Sequence, residues 1–204
     1  MKAKLFLTLF LLLPSLFFSQ VNLTNKHAIT ISGGGMINNT TSVDVGIASV
    51  NTEMNVLGIF KYEYNATNNL AMGFSAGLFS ASSNVGITGV SNIAIFPVMF
   101  EFTYSPEAFA FGSSSRMYFG LGIGVYGATG NRVGIKSGFI PFVSDVSESV
   151  FGLRPHAGVD FYITDWFKIG PNFSYHIMGD FSEVIGERKN YSGPAFSIQF
   201  GFVL

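Results

Sequence analysis

The chain has 204 residues, a formal net charge of −1, no cysteine and 11% charged residues. A nearly neutral chain without a basic cluster lacks the electrostatic footprint of a nucleic-acid-binding protein, so no nucleic-acid partner is expected. The lack of cysteine excludes disulfides, a thiolate nucleophile and any cysteine-ligated zinc site. The counts of 23 Phe and 24 Gly are high, and both residue types need a structural use.

The first residues, "MKAKLFLTLFLLLPSLFFSQ", predict a secretory signal peptide. Two lysines precede an apolar stretch over 5–18, which then gives way to small and polar residues. We expect cleavage after Ser19, because a small residue stands directly before such cut sites. An uncleaved anchor helix is disfavoured, since the stretch is shorter than the ~20 residues that a membrane span needs. The interpretation is a signal peptide over 1–19 and one domain over 20–204.

Segments that alternate between apolar and polar residues follow, each long enough for the ~9–11 residues of a tilted strand that crosses a bilayer. We predict strands at 27–37, 54–65, 69–80, 92–104, 116–128, 150–162, 165–178 and 192–203. Long and short connections alternate, as in outer-membrane barrels, although "SPEAFAFGSSS" is long for a turn. The connections expected outside the cell are 38–53, 81–91, 129–149 and 179–191. The glycines of "ISGGGMINN" make a bulge in the first strand the expected irregularity.

The two faces of the predicted strands differ in a way that favours a membrane barrel over a soluble ligand-carrying barrel. In "YFGLGIGVYG" the polar face carries glycines, which suit a crowded interior where larger side chains need room. Aromatic residues beside the short turns resemble an aromatic girdle: Tyr62, Tyr64, Tyr104 and Phe161. The last residues, "AFSIQFGFVL", have one wholly apolar face that lipid or protein must cover. We therefore predict an all-β, eight-stranded antiparallel up-and-down transmembrane β-barrel.

The chain resembles the small outer-membrane β-barrels of the OmpA, OmpX and OmpW type over essentially all of 20–204. The residues that carry the resemblance are "RMYFGLGIGVYG", "LRPHAGVDFYITDWFKIGPNFSYHI" and "AFSIQFGFVL". The last is similar to the C-terminal signature read by the barrel-assembly machinery, with Leu204 in place of the usual terminal Phe. It implies an assembly signal formed by Phe196, Ile198, Phe200, Phe202 and Leu204.

The same resemblance implies a location in the outer membrane of a Gram-negative cell. The partners that it implies are outer-membrane lipid, lipopolysaccharide and, during biogenesis, the barrel-assembly machinery. A monomer is expected.

The polar face is predicted to fill the lumen, because an eight-stranded barrel is just wide enough for side chains to fill. The luminal polar network predicted in this way comprises Lys61, Glu63, Glu101, Arg116, Arg154, His156, Asp160, Lys168, Asn172 and His176, with Gln199 beside them. We expect cross-strand ion pairs near the periplasmic end, because a buried charge without a partner is costly. The expected pairs are Glu101 with Arg116 and Asp160 with Lys168.

Catalysis is disfavoured, and no cofactor or metal is expected. His156 and His176 are more simply explained as a satisfied polar core than as metal ligands or bases. The His-x-Ser motif of the lipid A deacylase class is missing, since the histidine contexts read "HAI", "HAG" and "HIM". The leading hypothesis is a non-enzymatic barrel with a structural or interaction role through its external loops. The alternatives are porin-like or OmpW-like transport of small hydrophobic compounds and, less favoured, a lipid A-modifying enzyme.

Overall fold

The computed structural model describes residues 22–42, 49–85, 89–110, 114–136, 140–183, 185 and 189–204. The predicted signal peptide and its cleavage site lie outside these residues. Among the described residues, no helix is both long and apolar enough to cross a membrane.

The described chain forms one closed barrel of eight strands. The strands are β1 (Lys26–Ser42), β2 (Ser49–Asn65), β3 (Leu70–Val85), β4 (Gly89–Tyr104), β5 (Ser115–Lys136), β6 (Ile140–Thr164), β7 (Phe167–Met178) and β8 (Gly193–Val203). Each strand pairs antiparallel with its neighbours in sequence, and β8 pairs with β1. Closure gives each strand two neighbours, so the backbone donors and acceptors of the wall are paired. The predicted all-β up-and-down barrel of eight antiparallel strands is confirmed.

The two ends of the barrel differ. The terminal end carries both ends of the described chain and the turns after β2, β4 and β6. The turn after β4, which looked too long in the sequence, contains a 3-10 helix over Glu107–Phe109. The hairpin end carries the connections after β1, β3, β5 and β7.

The lengths of three connections at the hairpin end were predicted wrongly. Strand pairing continues to Ser42↔Ser49, Val85↔Gly89 and Lys136↔Ile140, so most of 38–53, 81–91 and 129–149 is strand. Antiparallel strands can keep exchanging backbone hydrogen bonds beyond the ~9–11 residues that a bilayer requires, and polar residues do not interrupt that ladder. The connection after β7 is one residue longer than the predicted 179–191, since β7 ends at Met178 and β8 begins at Gly193.

The expected bulge in the first strand is also absent from the described pairing. β1 pairs with β2 in unbroken register from Lys26↔Asn65 to Ser42↔Ser49. The register shift lies instead between Tyr162 and Thr164 of β6, next to the tight turn that leads into β7. A two-residue turn has to match the twist of both strands, and a local irregularity at its base accommodates that twist.

The outward face of the barrel is apolar over the described wall. Val56 is 73% exposed, Phe151 63% and Phe74 61%. In water such a surface is unfavourable by about 25 cal/mol per Å² of apolar area, so a bilayer is the solvent that it fits. The residues of the predicted assembly signal lie on this face: Phe196, Ile198, Phe200, Phe202 and Leu204.

Candidate functional site

The side chains predicted to form the luminal network all belong to the inward face of the barrel. Arg116 and Asn172 are partly exposed. The others are buried: Lys61, Glu63, Glu101, Arg154, His156, Asp160, Lys168 and His176. Side chains alternate between faces of a strand, so the polar residues of one strand face meet those of other strands in the lumen.

Glu101 is the centre of the first part of this network and is fully buried. Its Oε1 accepts a hydrogen bond from the Ser75 hydroxyl at 2.5 Å and forms an ion pair with Nη2 of Arg154. Its Oε2 lies 3.2 Å from Nε2 of His156. Nη2 of Arg154 also donates to the Ser75 hydroxyl at 3.0 Å. Two strands besides β4, namely β3 and β6, thus supply the partners of this buried carboxylate and compensate its charge.

Glycines make the space that this network occupies. A Cβ on Gly122 would lie 2.8 Å from Oε1 of Glu101, and a Cβ on Gly120 would lie 2.2 Å from Nε2 of His156. Both glycines are on β5, opposite the strands that carry the larger side chains. The glycines of "YFGLGIGVYG" therefore relieve crowding inside the barrel, as the sequence predicted.

The second part of the network lies nearer the terminal end. Nζ of Lys168 lies 2.7 Å from Oδ2 of Asp160, whose Oδ1 accepts a hydrogen bond of 2.5 Å from the Gln199 amide. Nζ of Lys61 lies 3.0 Å from Oε2 of Glu63. The buried carboxylates of the whole network, Glu63, Glu101 and Asp160, are therefore matched by as many buried basic side chains, Lys61, Arg154 and Lys168. Such a balance keeps the cost of burying charge low.

One of the two expected cross-strand ion pairs is formed and the other was predicted wrongly. Asp160 pairs with Lys168, but Glu101 forms its ion pair with Arg154, beside a hydrogen-bond contact with His156, and not with Arg116. The register explains the error, because Glu101 lies opposite Gly122 and Arg116 precedes Gly122 by six residues on β5. At about 3.3 Å per residue this offset is ~20 Å along the strand. Nη1 of Arg116 instead donates to the Asn68 carbonyl at 2.9 Å.

The histidines all have polar partners. Nδ1 of His176 lies 3.1 Å from the Tyr126 hydroxyl inside the barrel. His27, which had no evident partner in the sequence, lies on the outward face with Nδ1 2.6 Å from the Tyr62 hydroxyl. Among the described residues, no group of three or more His, Asp or Glu side chains could hold a metal ion. The geometry of His156 and His176 is that of hydrogen-bonded interior side chains.

The lumen towards the hairpin end is apolar, which the alternation of residues did not predict. The buried residues of this outer apolar cluster are Met36, Leu57, Ile59, Phe79, Ile93, Ile95, Met99, Tyr126, Ala128, Met178, Phe181, Ile185, Tyr191 and Ala195. Phe181, Ile185 and Tyr191 come from the connection after β7, so this connection covers the mouth of the barrel. The apolar residues among polar ones in 179–192 indicate that part of this connection is buried. Only the tertiary contacts show that the buried part lies in the lumen.

The carboxylate of Glu148 fastens this connection to the barrel. Its Oε2 accepts a hydrogen bond from the Ser182 backbone N–H at 2.7 Å, and its Oε1 accepts one from the Glu183 N–H at 2.9 Å. The Tyr191 hydroxyl donates to the Ile185 carbonyl at 2.5 Å, which ties the two apolar parts of the connection together. Two charge-assisted hydrogen bonds to one carboxylate hold the backbone more firmly than neutral ones would.

The residues before β1 cover the terminal end. Leu23 is buried against Tyr162 and Val203. Oδ1 of Asn68, in the turn after β2, accepts hydrogen bonds from the backbone N–H groups of Leu23 at 2.9 Å and Thr24 at 3.2 Å. The described residues thus supply side chains at both mouths and along the length of the lumen.

Comparison with known proteins identifies solved structures with the same architecture. No family model matches the chain, and no curated protein matches its sequence. Several solved structures share its fold, among them the following three. Neisserial surface protein A has a TM-score of 0.59 at 11% identity, covering 88% of this chain and 97% of its own. The outer-membrane protein OprG of Pseudomonas aeruginosa has a TM-score of 0.56 at 13% identity, covering 91% of this chain and 99% of its own.

The third is Ail, the attachment invasion locus protein of Yersinia pestis, in complex with the heparin analogue sucrose octasulfate. Its TM-score is 0.54 at 14% identity, over 89% of this chain and 99% of its own. This chain has the fold of the small outer-membrane β-barrels. Identities this low speak for the fold alone, and the apolar outward face of this barrel agrees with a transmembrane β-barrel.

Proposed function

We propose that this protein is a non-enzymatic, monomeric outer-membrane barrel with a filled lumen, which acts through the hairpins that project from its hairpin end. The hairpin end would face the outside of the cell and the terminal end the periplasm, as short turns and long hairpins are arranged in such barrels. Its lipid partners would be outer-membrane lipid and lipopolysaccharide, reached after removal of the signal peptide and insertion by the barrel-assembly machinery.

The observation that carries this proposal is the length of the hairpin formed by β5 and β6. Pairing between β4 and β5 ends at Ala94↔Thr129, whereas pairing between β5 and β6 continues to Lys136↔Ile140. Beyond Thr129, β5 therefore has one strand neighbour among the described strands. The stretch from Gly130 to Lys136 contains no proline, so each residue has a backbone N–H. An unpaired strand edge of this kind can add an extended segment of another protein by backbone hydrogen bonds.

Two measurements test the barrel itself. Boiled and unboiled outer-membrane fractions should migrate differently on a denaturing gel, as expected for a closed barrel that resists detergent. In planar bilayers the purified chain should show no steady open-pore conductance, because side chains fill the lumen. A soluble periplasmic protein without a heat-dependent shift would contradict the proposal, and so would a stable conductance.

The role of the hairpin is tested by removing its tip. Gly130 and Val146 are register partners, so replacing 131–145 by Asn-Gly should leave a tight turn on an intact barrel. A photo-cross-linking residue at position 131 or 135 should yield a discrete cross-linked protein in whole cells, whereas one at Thr67 in a periplasmic turn should not yield the same product. If truncation abolishes the binding of the cross-linked protein to whole cells while the heat-dependent gel shift is retained, the proposal is supported. If positions 131 and 135 yield no cross-linked product and truncation changes no binding, the proposal is contradicted.

The outer apolar cluster favours a second candidate function, the passage of small hydrophobic compounds. Apolar side chains from seven strands and the closing connection meet in the outer lumen, which is the composition that such compounds need. Passage would require Phe181, Ile185 and Tyr191 to leave the mouth. Uptake of an apolar fluorescent dye by proteoliposomes, greater for Phe181→Gly than for the intact chain, would support this candidate. Equal uptake by protein-free vesicles would exclude it.

The non-enzymatic part of the proposal is tested separately. Lipid A from cells that express the protein should have the same acylation as lipid A from cells without it, by mass spectrometry. A changed acyl pattern that is lost in the His156→Ala variant would favour the lipid A-modifying alternative instead.

A further inference from the structure

The long turn between β4 and β5 has an exposed aromatic residue on the lipid side of the barrel. Phe109 is 50% exposed, although it belongs to a turn. Its ring meets the ring of Phe119 edge to face, with 6.1 Å between the centroids. Phe119 is on the outward face of β5, and its register partner is Tyr104, which is also outward and 53% exposed. Phe109 therefore extends the apolar outer wall past the end of β4.

The backbone holds this turn in place. The Phe109 N–H donates to the Pro106 carbonyl at 3.1 Å, and the Ala110 N–H donates to the Glu107 carbonyl at 3.0 Å. Ala110 also forms a bridge with Arg116 of β5. The Ser105 N–H donates to the Asn69 carbonyl at 2.8 Å, which ties the turn to the neighbouring turn after β2. The outward position of Phe109 is thus built by backbone contacts on both sides of it.

Other exposed aromatic residues lie at the same end of the barrel. Trp166, in the turn after β6, is 58% exposed and stacks on Phe202 with 6.1 Å between ring centroids. Tyr62 and His27 stack on each other on the outward face of β2 and β1. Aromatic side chains prefer the interface between acyl chains and headgroups, where an apolar ring and a polar edge are both accommodated.

We infer that the turn after β4 is an interfacial anchor, which inserts Phe109 into the headgroup and glycerol region of the periplasmic phospholipid leaflet. The occupant of this surface is phospholipid, because the Phe109 ring is continuous with the lipid-facing wall through Phe119. The acidic and exposed Glu107, two residues before it, stays in water. The extra length of this turn then has a use, since a two-residue turn could not reach back over the outer wall. The inference rests on the proposed membrane insertion of the barrel and goes beyond it.

The anchor is tested by fluorescence in bilayers. Trp166 is the single tryptophan, so Trp166→Phe gives a background without tryptophan emission. In that background, Phe109→Trp is compared with Glu107→Trp after insertion into phosphatidylcholine vesicles that carry bromine atoms either close to the glycerol or close to the acyl-chain ends. Phe109→Trp should lose most of its emission with bromine close to the glycerol, and less with bromine at the chain ends. Glu107→Trp should show little quenching by either lipid.

The outcomes separate the anchor from the barrel. A heat-dependent gel shift for both variants shows that the barrel has inserted, whatever the quenching. With insertion established, water-like emission from Phe109→Trp that neither lipid quenches would overturn the inference.

If a tryptophan variant fails to insert, nitroxide labels on Phe109→Cys and Glu107→Cys are used instead of tryptophan fluorescence. Each label attaches at a single site, because the chain has no other cysteine. Dissolved oxygen should relax the label at 109 more strongly than a water-soluble nickel chelate does, and the order should reverse at 107. The same preference for nickel chelate at both positions would overturn the inference.

Discussion

Gly122 of β5 faces the buried carboxylate of Glu101 on β4, and the two are register partners. A Cβ at this glycine would lie 2.8 Å from one carboxylate oxygen and 2.9 Å from the other. The carboxylate therefore occupies the volume that a side chain at position 122 would need. Gly33, in contrast, points outward, and a Cβ there would meet nothing within 4 Å. Glycine therefore leaves room for a larger side chain inside the barrel at Gly122, whereas Gly33 on the outside has no such role.

Replacing Gly122 should consequently destabilise the barrel more than replacing Gly33. Gly122→Val is expected to lower the free energy of unfolding by about 1–3 kcal/mol, because an overpacked interior forces side chains off their rotamers. Gly33→Ala should be neutral or stabilising by up to about 1 kcal/mol, through the lower entropy of the unfolded chain. Urea titration of the barrel in phospholipid vesicles measures both. Equal effects of the two changes would show that the interior is not packed at Gly122.

Removing one partner of the buried ion pair should cost more than removing both. Arg154 is held through Nη2, while its Nε and Nη1 have no hydrogen-bond partner among the described residues. Glu101→Gln leaves this guanidinium without its countercharge, and a loss of about 3–5 kcal/mol is expected. The double variant Glu101→Leu with Arg154→Met removes both charges and should recover most of that loss. Urea titration again gives the values, and a double variant less stable than Glu101→Gln would contradict the prediction.

The depth of a position on the outward face should decide the cost of a charge there. Val98 is 52% exposed and Tyr104 is 53% exposed, so the two positions on β4 are matched in exposure. Val98→Arg should cost about 2–4 kcal/mol if it lies near the middle of the bilayer, whereas Tyr104→Arg at the rim should cost about 0–1 kcal/mol. Unfolding in vesicles measures both. Similar small costs at both positions would mean that water, and not lipid, covers this face.

Glu148 should control local opening of the connection after β7. In Glu148→Gln the hydrogen bonds to the N–H groups of Ser182 and Glu183 lose their charge assistance, at a cost of about 1.5 kcal/mol. A cost of that size predicts roughly tenfold faster amide exchange at these two positions. Hydrogen exchange followed by mass spectrometry or NMR measures it, with Glu107→Gln at the opposite end as the control.

The global stability of the barrel is the second readout for Glu148. Its unfolding free energy should change much less than the local exchange, because the connection can open without unpairing the strands. Exchange at Ser182 and Glu183 that is no faster than in the control would show that Glu148 does not hold the connection.

The alternation of residues was sufficient to predict which side chains point inward. Lys168 of β7 and Gln199 of β8 belong to the polar faces of their strands and are buried, and Ile198 belongs to the apolar face and is exposed. Alternation is a local property with a period of two residues, so the face to which each strand residue belongs follows from the chain alone. The members of the luminal polar network could be predicted in the same way.

Only the tertiary structure decided which of those side chains meet. Glu101 contacts Arg154 and not Arg116, and Phe181 and Leu23 reach the lumen from segments outside the strands. Partner choice depends on the register between strands and on the stagger that closes the barrel, and neither is encoded in the pattern of one strand. The length of the hairpin formed by β5 and β6 was likewise set by pairing between two strands. The sequence by itself determined what each strand shows to lipid and to the lumen, and closure of the barrel decided what each side chain touches.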